Sequence, residues 1–170
     1  GFAISDLKPY LYPSDDEINN VGVTGVFLGS YIKWDIFKQL ELVKSIGFLE
    51  NDEIKEGTYD KWENLDVYFT VFHDYFKFLK YGFGRTTDHV SIEMRYGRME
   101  RKEAINLVKK YDGKIPRKFL KEFLESADIS EEEFHKICDK FTNKELFQTD
   151  ESGNLVKDSD QNLILKNEII

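Results

Sequence analysis

Cysteine is almost absent from this chain of 170 residues, which carries Cys138 alone and therefore forms no internal disulfide. A single thiol favours a cytoplasmic setting, where disulfides are rare. The sequence also shows no positively charged leader followed by an apolar stretch, so we predict no signal peptide. Its apolar runs are all shorter than the roughly 20 residues that span a bilayer, and we expect no membrane partner.

Several catalytic signatures are missing as well. The sequence contains no Walker-type phosphate loop and no Gly-x-Ser-x-Gly nucleophile elbow. Its three histidines, His73, His89 and His135, share no ligand spacing with one another or with Cys138. We therefore predict no metal site, and a buried core position for the thiol.

Positive charge is scarce, because 24 Lys and Arg stand against 32 Asp and Glu and give a net charge of −8. An acidic chain is not a default nucleic-acid binder, so we expect no nucleic-acid partner. The middle of the chain is the exception, since residues 81–121 hold 11 basic and 5 acidic side chains. Such a block is either a set of solvated helix faces or an anion site.

What is present is a high content of aromatic residues, 15%, which is enough bulk for a core. Residues 21–28 are apolar and rich in β-branched side chains, which predicts one buried strand, and residues 36–47 show helical spacing. A strand–turn–helix unit normally belongs to a larger parallel sheet. Because one strand makes no sheet, and the chain begins at Gly1, we expect further residues upstream.

The rest of the chain is predicted to be helical. Apolar side chains that recur at helical spacing over residues 65–79 predict a long helix with one apolar face. Shorter helices are predicted over 87–96, over 101–111, from Pro116 and from Ser130. The predicted fold class is mainly α with minor β. The predicted domains are a strand–helix part of an incomplete α/β domain (1–48), a connector (49–64), a helical region (65–147) and a polar tail that can form a hairpin (148–170).

The basic block begins with a glycine-rich turn that runs into a helix, and a helix N-terminus suits an anion. We interpret the turn and helix as a substrate-binding site for an anion, formed by Gly82, Gly84, Arg85, Asp88, His89, Ser91, Arg95 and Arg101. The alternative is structural: Asp88 caps the helix, and Arg95 pairs with it or with Glu93. Trp34 and Asp35 are a second candidate pair at the strand-to-helix junction, where ligands bind in parallel sheets, although Trp34 suits a core position equally well.

These residues resemble a known family, the N-acetyl sugar amidotransferases of bacterial surface-polysaccharide biosynthesis. The similarity runs from about Val21 to Phe147. It is carried by the stretches VTGVFLGSYIKWD (23–35), EGTY (56–59) with Asp66, KYGFGRTTD (80–88), IEMR (92–95), RKEA (101–104), YDGKIP (111–116) and EEF (132–134). Residues 80–101 are its most specific part, and they are also the segment that the charge pattern selects.

The resemblance implies that this chain is the C-terminal portion of a longer enzyme. Family members carry an N-terminal ATP pyrophosphatase domain of the PP-loop type (adenine nucleotide α-hydrolase-like). They convert an N-acetyl group on a nucleotide-activated sugar, used for lipopolysaccharide O-antigen or related glycans, into an acetamidino group. ATP with Mg²⁺ activates the acetamido oxygen. A glutaminase and synthase pair, similar to that of histidine biosynthesis, supplies ammonia.

This sequence departs from the family in one respect, because the phosphate loop Ser-Gly-Gly-x-Asp-Ser is absent. We therefore expect no ATP binding and no activity from this chain alone, and we interpret residues 21–28 as the last strand of the pyrophosphatase sheet. As hypotheses from charge and position, Arg85, Arg95 and Arg101 hold the diphosphate or a sugar carboxylate, while Asp88 and His89 orient the acetamido group. The rival interpretations are a non-catalytic module that docks a glutaminase and, less compatible with the net charge, an RNA-binding module.

Overall fold

A computed structural model describes residues 3–167 of the chain. The chain divides into two compact units, one that ends at Ile46 and one that begins at Gly47. The described helices are α1 (Ile4–Leu7), α2 (Asp15–Val21), α3 (Ile36–Ser45), α4 (Thr70–Tyr81), α5 (Arg85–Arg95), α6 (Arg101–Tyr111), α7 (Leu120–Ala127) and α8 (Glu131–Phe141). The prediction of a mainly α fold is confirmed.

The first unit lacks the predicted strand. Residue Val21 ends α2, a 3₁₀ turn covers Leu28–Ser30, and no strand is assigned between them. The side chain of Phe27 is 88% exposed. The prediction over 21–28 was wrong because a β-branched run needs a neighbouring strand to pair with, and the bridges among the described residues all lie beyond residue 146. The helix predicted after it does form as α3, and the Asp35 carboxylate accepts a hydrogen bond from the amide of Phe37 at 3.2 Å.

The second unit has its main core between α4, α7, α8 and the tail. Phe72 is 1% exposed and stacks on Phe123 with 4.1 Å between ring centroids. Fully burying one such ring stabilises the fold by roughly 1.5–3 kcal/mol. Cys138 lies in this core, as predicted, and burial raises the pKa of its thiol to about 12. The main core therefore anchors α4, the helix that carries Asp74 of the candidate site.

A smaller core joins α5 to α6 through Val90, Ala104 and Val108. Sequence and structure agree closely here, since α6 covers residues 101–111 as predicted. Helix α8 begins directly after Ser130, where a helix start is predicted, and Ser130 and Glu133 bond reciprocally in a capping box. In the tail, isolated antiparallel bridges join Thr149 to Leu155, Lys157 to Leu163 and Phe147 to Leu165. Within the described part of the chain, no helix is long and apolar enough to cross a bilayer.

Candidate functional site around His89

The start of α5 holds an anion that comes from the chain itself. The Asp112 carboxylate accepts hydrogen bonds from the backbone amides of Gly84 at 2.8 Å and Thr86 at 3.0 Å, and from the Thr87 hydroxyl at 2.7 Å. A Cβ at position 84 would lie 2.6 Å from Oδ1 of Asp112, so glycine is needed for this approach. The anion preference that the sequence predicts is therefore used internally, by a residue that follows α6.

Arg85, the first residue of α5, makes a three-point contact with two carboxylates. Its Nε and Nη2 donate to the two oxygens of Asp74 at 2.8 and 3.0 Å, and its Nη1 donates to Glu63 at 2.7 Å. Burial opposes the charge, but Asp74 and Glu63 raise the pKa of the guanidinium. Bidentate pairing of this kind fixes the plane of the guanidinium, so Arg85 ties α5 to α4 and to the 49–64 segment.

His89, one turn further along α5, bridges two carboxylates. Its Nε2 lies 3.1 Å from Oε2 of Glu63, the oxygen that Arg85 also contacts. Its Nδ1 lies 2.7 Å from Oδ2 of Asp60, although the N–H direction does not align with that oxygen. The Asp60 carboxylate is 2% exposed and accepts a further bond from the Thr58 hydroxyl at 2.6 Å.

The carboxylates keep the imidazole charged. Burial alone would lower the pKa of His89, but its close contacts with the negatively charged Asp60 and Glu63 raise it to about 9. Contact with His89 lowers the pKa of Glu63, and it also lowers that of Asp60 against the opposing effect of burial. At neutral pH the group is therefore an imidazolium between two carboxylates, with the ring of Tyr59 edge-on to it at 6.1 Å.

This arrangement also bears on metal binding. Ligand atoms of Asp60, Glu63 and His89 lie within 4.8 Å of one another, a spacing that a metal ion requires. A metal needs a neutral imidazole nitrogen, whereas the raised pKa of His89 keeps both nitrogens protonated. A metal ion would therefore have to displace a proton from His89 to bind at this place.

The other predicted site residues have separate settings. Asp88 pairs with Lys77 of α4, and the Ser91 hydroxyl donates to the carbonyl of Thr87 at 2.6 Å. Arg95 and Arg101 are exposed, at the end of α5 and the start of α6. Gly82 ends α4 in the left-handed conformation, with φ of 77°. Trp34, 64% exposed, and Asp35, 8% exposed, belong to the first unit.

The structural alternative from the sequence named the wrong pairs. Glu93 binds Arg98 through two contacts of 2.8 and 3.0 Å, while Asp88 binds Lys77. The sequence also missed the acidic half of the site, which consists of Asp60, Glu63, Asp74 and Asp112. Two of these lie in the segment interpreted as a polar connector, and no local spacing links them to α5.

A cleft of about 430 Å³ is lined in part by the same 49–64 segment. Its walls are the chain from Asn51 to Glu56, with Tyr68, Val71, Lys118 and Phe119. The segment connects the cleft to α5, because the Thr86 hydroxyl donates to the carbonyl of Gly57 at 3.1 Å. Asp60, Glu63, Asp74, Arg85 and His89 together form what we call the ionic group, and this group and the cleft share one loop.

Residues 56–159 match the family described as LPS biosynthesis protein WbpG-like, C-terminal domain. The chain belongs to this family. The matched range covers more than half of the chain and includes the carboxylates, Arg85 and His89 of the ionic group. Membership assigns the domain to lipopolysaccharide biosynthesis, in agreement with the resemblance seen in the sequence. No curated protein matches the chain at a significant level.

Proposed function

We propose that this WbpG-like domain is the substrate-side part of an ATP-dependent amidotransferase that converts the N-acetyl group of a nucleotide-activated sugar into an acetamidino group. The observation that carries the proposal is the coincidence of two ranges: the family match over 56–159 contains the amidotransferase-like segment 80–101, and that segment forms the core of the ionic group. Membership in a lipopolysaccharide-biosynthesis family supports a sugar substrate.

The proposed reaction proceeds in two steps. The acetamido oxygen attacks the α-phosphorus of ATP, which releases pyrophosphate and forms an O-adenylated imidate. Ammonia then adds to the imidate carbon, AMP leaves with the original acetamido oxygen, and the amidine remains. ATP with Mg²⁺ would bind in the pyrophosphatase part of the complete enzyme, since this chain has no Ser-Gly-Gly-x-Asp-Ser loop.

The ionic group favours a division of roles among the predicted site residues. Arg85 and His89 direct their donors at Glu63, Asp74 and Asp60, so we assign them to positioning α5 rather than to direct contact with a phosphate. Arg95 is exposed at the end of α5, and it is our candidate for contact with the diphosphate of the sugar nucleotide.

Two further elements of the proposal come from the family resemblance. Ammonia would reach the imidate from a glutaminase and synthase pair, so that the reacting carbon is shielded from water. The reaction would take place in the cytoplasm, a setting that the single thiol of Cys138 suits.

The test is an assay of the complete natural enzyme with ATP, Mg²⁺, an ammonium salt and N-acetyl sugar nucleotides. We expect an amidine product by mass spectrometry, together with AMP and pyrophosphate. Arg95→Ala should raise the KM for the sugar nucleotide by about tenfold with little change in kcat, because an exposed arginine contributes mainly to binding. Lys136→Ala is the matched control on α8, where Lys136 pairs with Glu132, and it should leave KM unchanged. Absence of amidine with every sugar tested would contradict the proposal.

A further inference from the structure

We infer that the cleft formed by residues 51–56, Tyr68, Val71, Lys118 and Phe119 holds the pyranose ring of the substrate. This inference rests on the proposed function and deepens it by naming where the sugar lies. The volume of about 430 Å³ falls within the range of about 300–1,000 Å³ of small-molecule sites.

An aromatic platform forms one wall of the cleft. The rings of Tyr68 and Phe119 stack at 4.8 Å with 23° between their planes, and Tyr68 remains 65% exposed. A stacked, exposed ring has a rigid apolar face without a partner in the described part of the chain. A pyranose has an apolar C–H face and a polar rim, so one side can lie on Tyr68 while its hydroxyl groups face the loop.

The polar wall has hydrogen-bonding capacity for that rim. Asn51 lines the cleft, and its Nδ2 is buried without a hydrogen-bond partner among the described residues. A buried amide left in this state is destabilising, and a ligand oxygen would offset that loss after rotation of the side chain. The backbone at this point is fixed, because the Asn51 amide donates to the carbonyl of Lys61 at 2.9 Å.

The charge of the lining favours a neutral ring over a phosphate. Three acidic side chains, Asp52, Glu53 and Glu56, stand against Lys55 and Lys118. Lys118 pairs with Glu53 at 2.8 Å. The cleft therefore has no excess of positive charge for a diphosphate, and the Asn51 and Tyr68 walls select an uncharged polar ligand with an apolar face.

The position of the cleft also suits the proposed chemistry. The Glu56 carboxylate accepts bonds from the amides of Arg117 and Lys118 at 2.9 and 3.1 Å, which fixes the loop against the start of α7. The next residue, Gly57, accepts the bond from Thr86 of α5. A sugar in the cleft would thus lie against the loop that the ionic group holds in place.

The test measures the binding of N-acetylglucosamine to the 170-residue chain by saturation-transfer difference NMR. We expect transfer from aromatic protons to the ring protons of the sugar. Tyr68→Ala should weaken binding at least about tenfold, and Tyr68→Phe should restore it because the ring remains. Asn51→Ala should independently weaken sugar binding, because the side-chain amide that donates to the sugar is removed.

Tyr81→Ala is the matched control. Tyr81 is also an exposed tyrosine, 55% accessible, but it lines a different depression together with Lys77, Lys80 and Phe83. Unchanged sugar binding in Tyr68→Ala and Asn51→Ala, or a loss caused by Tyr81→Ala instead, would overturn the assignment. So would the absence of any saturation transfer to the sugar.

The two proposals fail in different ways. If the complete enzyme forms amidine and Tyr68→Ala leaves its KM for the sugar nucleotide unchanged, the cleft assignment is wrong while the amidotransferase function stands. If no amidine forms but the sugar binds the cleft and depends on Tyr68, the domain binds sugar and the proposed chemistry is wrong.

Discussion

Replacing His89 by glutamine should remove the stabilisation that the imidazolium gives to the ionic group. It should also remove the pH dependence of that stabilisation. The His89 side chain is only 10% exposed and lies between Asp60 and Glu63. Glutamine can still donate one hydrogen bond but carries no charge, so the two carboxylates would keep Arg85 as their nearest cation, on the Glu63 side alone. A buried carboxylate without its counter-charge is strongly unfavourable.

The magnitude follows from the raised pKa. Folding raises the pKa of His89 from 6.5 to about 9. Since a difference of one in pKa corresponds to roughly 1.4 kcal/mol, the charged imidazole contributes about 3 kcal/mol to the free energy of unfolding. Removal of one partner from a buried ion pair typically costs about 3–5 kcal/mol, in agreement with this figure. Because the folded pKa is the higher one, this stability is fully present below about pH 6.5 and is lost as pH rises through 9.

The assay is urea unfolding from pH 6 to 9.5, followed by fluorescence of Trp62 in a Trp34→Phe background, since Trp34 belongs to the other unit. As pH rises from 6 to 9.5, the unfolding free energy of the original chain should fall by about 3 kcal/mol more than that of His89→Gln. His73→Gln is the matched control, because its side chain is 76% exposed and should change stability by less than about 1 kcal/mol. Parallel pH profiles for His89→Gln and the original chain would refute the reasoning.

Two further substitutions test the supports of the site. Asp112→Ala should lower stability by about 3 kcal/mol, because the amides of Gly84 and Thr86 lose their acceptor, and Asp112→Asn should recover part of the loss in thermal denaturation. Gly113→Ala should cost about 3 kcal/mol, since φ is 73° and a Cβ would lie 2.4 Å from the Phe78 ring. Gly153→Ala, with φ of 80° and open space around it, should cost only about 1 kcal/mol, and equal losses at the two glycines would contradict the steric argument.

Local signals predicted α6 and α8 of the second unit well, whereas α7 begins at Leu120 and not at Pro116. The boundaries of α6 and the capping box of α8 follow from apolar period and from one Ser–Glu pair, both of which act within a few residues. Helix α4 begins at Thr70 rather than near residue 65, because the Thr70 hydroxyl bonds the carbonyl of Val67 and the preceding chain is held as a loop. The strand predicted over 21–28 does not form, because no strand among the described residues lies beside it to pair with.

The candidate site was only half predictable, because its charges pair over long distances in the sequence. The glycine-rich turn and Arg85 are adjacent in the chain, so their preference for an anion is visible locally. The anions themselves come from Glu63, 22 residues before Arg85, and Asp112, 28 residues after Gly84. Only the fold brings them together, and it turns a predicted ligand site into a set of internal ion pairs.

The most direct measurement for the proposed function follows the acetamido oxygen. A sugar nucleotide with heavy oxygen in its N-acetyl group is incubated with the complete enzyme, ATP, Mg²⁺ and ammonia, and the nucleotide products are analysed by mass spectrometry. The account predicts an unlabelled amidine and heavy oxygen in the phosphate of AMP. Formation of ADP, or recovery of the label in unreacted sugar alone, would contradict it.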